Sequence, residues 1–182
     1  PEAAGNLRVG VDYDYVKRNI VEALRLGFNV GIITCLNQEN CNEAVDMQVL
    51  GDKLGVSLVN FHRLMPQGRG RKLVKHIIGP DDWIETCRTI EDYAKSMKPV
   101  VLYPPVFCRP EEYNKYKSLG YLGCTARSAD RISILPDGTV KLCSLFLDTK
   151  HHFGVVQNGH IEMNMHLNNE LIWEFSTVPW CE

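Results

Sequence analysis

No run in this 182-residue chain approaches the roughly 18 apolar residues needed to cross a membrane as a helix. No charged-then-apolar leader opens it either, so the expected partners exclude a membrane and the expected location is the cytoplasm. A surplus of positive charge is also missing. Twenty Lys and Arg stand against 22 Asp and Glu, and a net charge of −2 leaves no footprint for nucleic acid. There is no internal repeat, no low-complexity tract, no P-loop, no G-x-G-x-x-G and no Ser-His-Asp arrangement. An initiating Met is absent, and the final residue follows directly on Cys181, so both ends read as cuts through a longer protein.

What is present suits one sizeable core: 45% hydrophobic and 23% charged residues are ordinary for a globular domain. Seven cysteines, an odd number, argue for reduced thiols or metal ligation rather than a secreted disulfide framework. Asp12 to Leu26 has a capping acid, apolar residues at helical spacing and Gly27 as a stop, which predicts a helix. Phe28 to Thr34 is a short β-rich run without alternation, as a buried parallel strand has. Asn40 to Leu54 predicts a second helix ending at Gly55, and Val56 to Leu64 a second strand. Pro66 to Gly79 reads as a basic, glycine-containing loop. Pro80, Asp81 and Asp82 open a third helix running to about Met97, and Val100 to Tyr103 is a third strand. Helix and strand alternating with short joints predict βα units in a parallel sheet or barrel.

Near residue 104 the pattern changes to short strands and loops, dividing the chain into 1–103 and 104–182. Glu111 to Leu119 predicts a short polar helix, and Asn168 to Phe175 another. Between them, Ile132 to Leu135 and Thr139 to Leu142 flank Pro136-Asp-Gly138, an antiparallel hairpin in which Pro presets φ and Gly supplies φ > 0. Phe153 to Ile161 is a further β segment turning at Asn158-Gly159. Pairing Leu135 with Thr139 sets Cys143 opposite Arg131. Alternation then puts Val140 and Leu142 on one face, and Cys143 on the other, away from the apolar side. Thirteen residues separate Cys124 from Gly138, and four separate Gly138 from Cys143.

That Cys…Gly-x4-Cys spacing around a Pro-Asp-Gly turn resembles the opening of the SPASM, or shorter twitch, extension of radical S-adenosylmethionine (SAM) enzymes. The first hundred residues resemble the second half of the same family's partial (β/α)6 barrel. The shared features are a helix ending in Gly27, the strand Phe28 to Thr34, a loop carrying Asn40, then Leu54-Gly55-Val56 and a strand running into Pro66-Gln-Gly68. The implied fold is α/β: the C-terminal portion of a partial barrel, followed by a small α+β hairpin domain. By this resemblance an auxiliary 4Fe-4S cluster would take Cys124 and Cys143, with Cys181 and Cys108 as further ligands. Thr34, Asn40 and Leu64 would lie near SAM, and Arg8 near its carboxylate. The parent would bind SAM at a second 4Fe-4S cluster and cleave it to a 5′-deoxyadenosyl radical, with a peptide or protein as substrate. The family's Cys-x3-Cys-x2-Cys motif for that cluster is absent, since Cys35 and Cys41 have five residues between them and no third partner. The chain by itself is therefore expected to be inactive.

The residues leave other readings open. Cys124 and Cys143 are also compatible with simple thiols, a disulfide or zinc. Cys181 reads equally as a thiol beside Trp180, and Cys35, Cys41 and Cys87 as packing residues. Thr34 suits a strand on β-propensity alone, and Asn40 a helix cap. His151 and His152 read as a solvated pair, and Arg69, Arg71, Lys72 and Lys75 as a solvated loop. A non-catalytic metal-thiolate module that recognises a peptide is one alternative function, and a molybdenum-cofactor type of radical SAM cyclase another. With the earlier barrel strands missing, Phe28 to Thr34 has a bare edge, which predicts an oligomer or a companion segment covering it.

Overall fold

A computed structural model of the chain describes residues 12–104, 107, 109–119, 132–143, 146–147, 149 and 152–163. The expectations for Arg8, Cys108, Cys124, Arg131, His151, Cys181 and the helix at 168–175 lie outside them. The chain divides into two compact units, Pro1–Phe107 and Cys108–Glu182.

In the first unit, helix α1 (Tyr13–Arg25) is capped by Asp12, whose carboxylate accepts from the Tyr15 N–H at 2.9 Å. Asp14 lies in the first turn and Arg25, ion-paired to Glu22, in the last, each matching the sign of the helix dipole at its end. Strand β1 (Gly31–Leu36) begins three residues later than its hydrophobic run suggests, because Leu26 to Val30 are used to turn the chain out of α1. A 3-10 turn (Cys41–Glu43) leads into α2 (Ala44–Leu54), which ends at Gly55 in the left-handed conformation. Strand β2 (Leu58–Arg63), a 3-10 segment (Gly68–His76), α3 (Pro80–Ala94) and β3 (Val100–Leu102) complete the unit.

The three strands are parallel in the order β1-β2-β3. Each crossover between them contains a helix, as parallel neighbours require. The core lies on one face of this sheet. Leu36, Val59 and Phe61 from the strands meet Ala44 from α2 and Trp83, Cys87 and Ile90 from α3. The last three stand at helical spacing on one stripe, which explains why α3 buries that side. Trp83 is fully buried and gives its indole N–H to the Pro104 carbonyl at 3.0 Å, so the chain after β3 is tied to the helix before it.

Alternation sends the other residues to the opposite face, which no helix among the described residues of this unit covers. They are Gly31, Ile33 and Cys35 on β1, Leu58, Asn60 and His62 on β2, and Val100 and Leu102 on β3. Ile33 is 69% exposed and Val100 60%.

The second unit has a 3-10 turn (Pro110–Glu112) continuing into α4 (Tyr113–Ser118). Its sheet runs β4 (Ser133–Ile134), β5 (Thr139–Lys141), β6 (Gly154–Gln157) and β7 (His160–Met163), antiparallel in chain order. Asn158 (φ 50°) and Gly159 (φ 78°) form the tight β6–β7 turn, where both residues need positive φ. Leu142, Phe146 and Phe153 form the core, with the two phenyl rings edge to face at 4.9 Å. The architecture is thus mixed α/β, a parallel three-stranded sheet in one unit and a separate antiparallel sheet in the other.

Candidate functional site

Ligands of α/β sheets bind beyond the carboxyl ends of the strands. In the first unit that end is built by the loops after β1 and β2. The loop after β1 is closed by its own asparagines. Asn37 is buried, and its side-chain oxygen accepts from the Glu39 N–H at 2.8 Å. Asn40 accepts from the Asn37 N–H at 2.8 Å and donates to the Cys35 carbonyl at 3.2 Å. Both ends of the Asn40 amide are therefore engaged with backbone. It precedes the 3-10 turn without capping it through its side chain.

Thr34 lies between Ile32 and Leu36 on the helix-covered face. Leu64, half-buried, extends the strand pairing through its N–H to the Leu36 carbonyl at 2.8 Å. Thr34, Asn40 and Leu64 thus share the strand-end region but no common face.

Arg63 is the residue at this end that sequence reasoning missed. It is 9% exposed, at the last position of β2, on the core side. Its Nε and Nη2 both donate to the Ile78 carbonyl, at 3.0 and 2.5 Å, and its guanidinium lies 5.0 Å from the Phe107 ring centre. Burial pulls its pKa below the usual arginine value. The signal was the single Arg or Lys inside the predicted strand Val56 to Leu64. Nearby, the Gln38 N–H donates to the His76 carbonyl at 2.9 Å, and the His76 Nδ1 lies 2.7 Å from a Glu39 oxygen. These contacts hold the basic 3-10 segment against the loop after β1.

On the uncovered face, a second missed set lines up. Asn60 Nδ2 is 3.1 Å from His62 Nε2, and His62 stands beside Cys35 in the parallel register. Cys35 does not pack into the core as expected of it. One residue before the fully buried Leu36, the pleat sends it to the other side. The alternation of Val59, Phe61 and Arg63 with Asn60 and His62 was the signal available for this row.

In the second unit the hairpin has the expected register. Leu135 gives its N–H to the Thr139 carbonyl at 2.9 Å, and Ile134 pairs with Val140. Gly138 takes φ 85°, and Asp137 accepts from both the N–H and the hydroxyl of Thr139. The expected direction of Cys143 is corrected. Strand β5 ends at Lys141, the chain bends at Leu142 and Cys143, and alternation no longer applies. Cys143 consequently packs, half-buried, against the Leu142–Phe146–Phe153 cluster. Among the described residues, no group of three or more His, Cys, Asp or Glu is placed to hold a metal ion, and no helix is long and apolar enough to cross a membrane.

The class that these observations define is a mixed α/β chain with a βαβαβ unit and an antiparallel meander carrying a cysteine at the end of its first hairpin. Comparison with protein-family models, curated proteins and solved structures gives no match.

Proposed function

We propose that this chain is the C-terminal part of a radical SAM enzyme, with late βα units of its partial (β/α)6 barrel followed by the opening of a SPASM or twitch extension. The observation that carries the reading is the hairpin around Pro136-Asp-Gly138, which delivers Cys143 to the end of a short ribbon beside a small apolar core. The parallel βαβαβ order of the first unit supports it. In this reading Cys143 supplies one thiolate to an auxiliary iron-sulfur cluster, together with Cys124 and further cysteines. The barrel's SAM-cleaving chemistry belongs to the Cys-x3-Cys-x2-Cys motif, which this chain lacks, so the chain alone generates no radical. The proposed substrate is a peptide or protein.

Anaerobic reconstitution with iron and sulfide tests this. The chain should take up both, with thiolate-to-iron absorption, and Cys143→Ala and Cys124→Ala should each lose most of the bound iron while Cys41→Ser keeps it. Equal iron content in all four proteins would rule out the cluster role.

A further inference from the structure

Between Asp52 and Asp81 the chain has no acidic residue and six Lys or Arg, in a protein whose net charge is −2. Five of the six fall within 63–75, at the end of β2 and in the 3-10 segment that follows it. The segment is fixed through its backbone. The Gln38 N–H donates to the His76 carbonyl at 2.9 Å, the Ile77 N–H to the Val74 carbonyl at 3.2 Å, and the Arg63 Nε to the Ile78 carbonyl at 3.0 Å. The side chains of Arg71, Lys72 and Lys75 are left exposed, with Val74 51% exposed among them. Glu39, the acid that touches this segment, lies against the His76 ring at 2.7 Å. Among the described residues no carboxylate forms an ion pair with Lys72, Lys75 or Arg63. Arg63 therefore adds a buried positive charge without a counter-charge, whose field is weakly screened.

We propose that the 3-10 segment, through Arg71, Lys72 and Lys75, is a docking surface for an acidic peptide segment at the carboxyl end of the parallel sheet. Position supports this, because ligands of α/β sheets bind beyond that end and this is the loop after β2. Charge names the partner. Adjacent exposed cations on an ordered backbone attract Asp and Glu side chains and repel basic segments, which steers encounter and selects among partners. The exposed Val74 between them suits the mixed polar and apolar surface of a peptide better than a run of phosphates. A nucleic acid would call for more cations, on a chain with a positive balance. Calling the peptide a substrate rests on the reading proposed above, while the docking itself requires no iron-sulfur cluster.

The test is fluorescence anisotropy of a labelled glutamate-rich peptide and its all-glutamine counterpart, titrated with the full chain without added iron or sulfide. The glutamate peptide should bind, more weakly as salt rises, and the glutamine peptide should not. Lys72→Glu combined with Lys75→Glu should weaken binding by at least about tenfold, since the reversed charges repel the ligand. Lys53→Glu combined with Lys98→Glu makes the same change in net charge at the other end of the sheet, before β2 and β3, and should leave the affinity within about twofold. All four lysines are exposed, so both variants keep the fold. Equal binding of the two peptides, an unchanged affinity in the Lys72 and Lys75 variant, or an equal loss in the Lys53 and Lys98 variant overturns the surface. An oligonucleotide of the same charge that binds more tightly than the glutamate peptide overturns its assignment to a peptide. Iron uptake is read separately, so the cluster and the docking surface can fail independently.

Discussion

Gln48 is fully buried in α2, where its Nε2 reaches the Ile90 carbonyl at 3.4 Å and its Oε1 has no partner among the described residues. A buried acceptor left without a donor costs about 1–3 kcal/mol, more than one long hydrogen bond returns. Gln48→Met, close in volume, should therefore raise stability by about 1 kcal/mol, seen as a higher urea midpoint at unchanged slope. Asp137 makes a prediction with a sign. Its hydrogen bonds from the Thr139 backbone and hydroxyl lower its pKa from an ordinary value of 3.8. A depressed folded pKa means that its contribution is fully present above that ordinary value and is lost as pH falls through the lower folded one. The hairpin should weaken in that acid window. Asp137→Asn should lose this part of the acid dependence, measured by denaturation midpoints at a series of pH values.

Two glycines in and after α2 separate packing from backbone conformation at the scale of the element. A Cβ on Gly51 would stand 2.5 Å from Val59 Cγ2, because α2 lies on β2 with nothing between them. Overpacking of this kind costs roughly 1–3 kcal/mol, against about 1 kcal/mol gained in helix propensity, so Gly51→Ala should destabilise. Gly55 has open space around it but φ 79°, so Gly55→Ala should cost about 1 kcal/mol or somewhat more through the backbone alone. Thermal unfolding of the two variants distinguishes them. An accompanying Val59→Ala should relieve the first and leave the second untouched. The Gly55 stop was legible in the sequence, since left-handed conformation belongs to the residue type. The Gly51 approach was not, because its partner lies eight residues on and only the βα packing brings Val59 to it. Cys143 shows the same limit. Pro136-Asp-Gly138 dictated the turn locally, but where β5 stops, and so which way Cys143 points, depends on the Phe146–Phe153 contact beyond the strand.

For the molecule as a whole, the consequential surface is the outer edge of β1 and the uncovered sheet face. Among the described strands β1 pairs with β2 alone, and a parallel strand with an open edge offers unsatisfied backbone groups to a second chain. The proposed reading assigns that place to earlier barrel strands. The chain by itself should then scatter light as a species larger than its 20.7 kDa, and Ile33→Lys should shift it toward the monomer. A chain monomeric at every concentration would count against that assignment. Composition, period and turn residues by themselves determined the helices, the strand segments and the hairpin register, because each rests on pattern or contacts within a few residues along the chain. Which side chains meet was decided only by tertiary structure. The burial of Arg63 under Ile78 and Phe107, the engagement of Asn40 by its own loop, and the row of Cys35, Asn60 and His62 all follow from strand pairing and helix placement, which bring together positions that local pattern treats as independent.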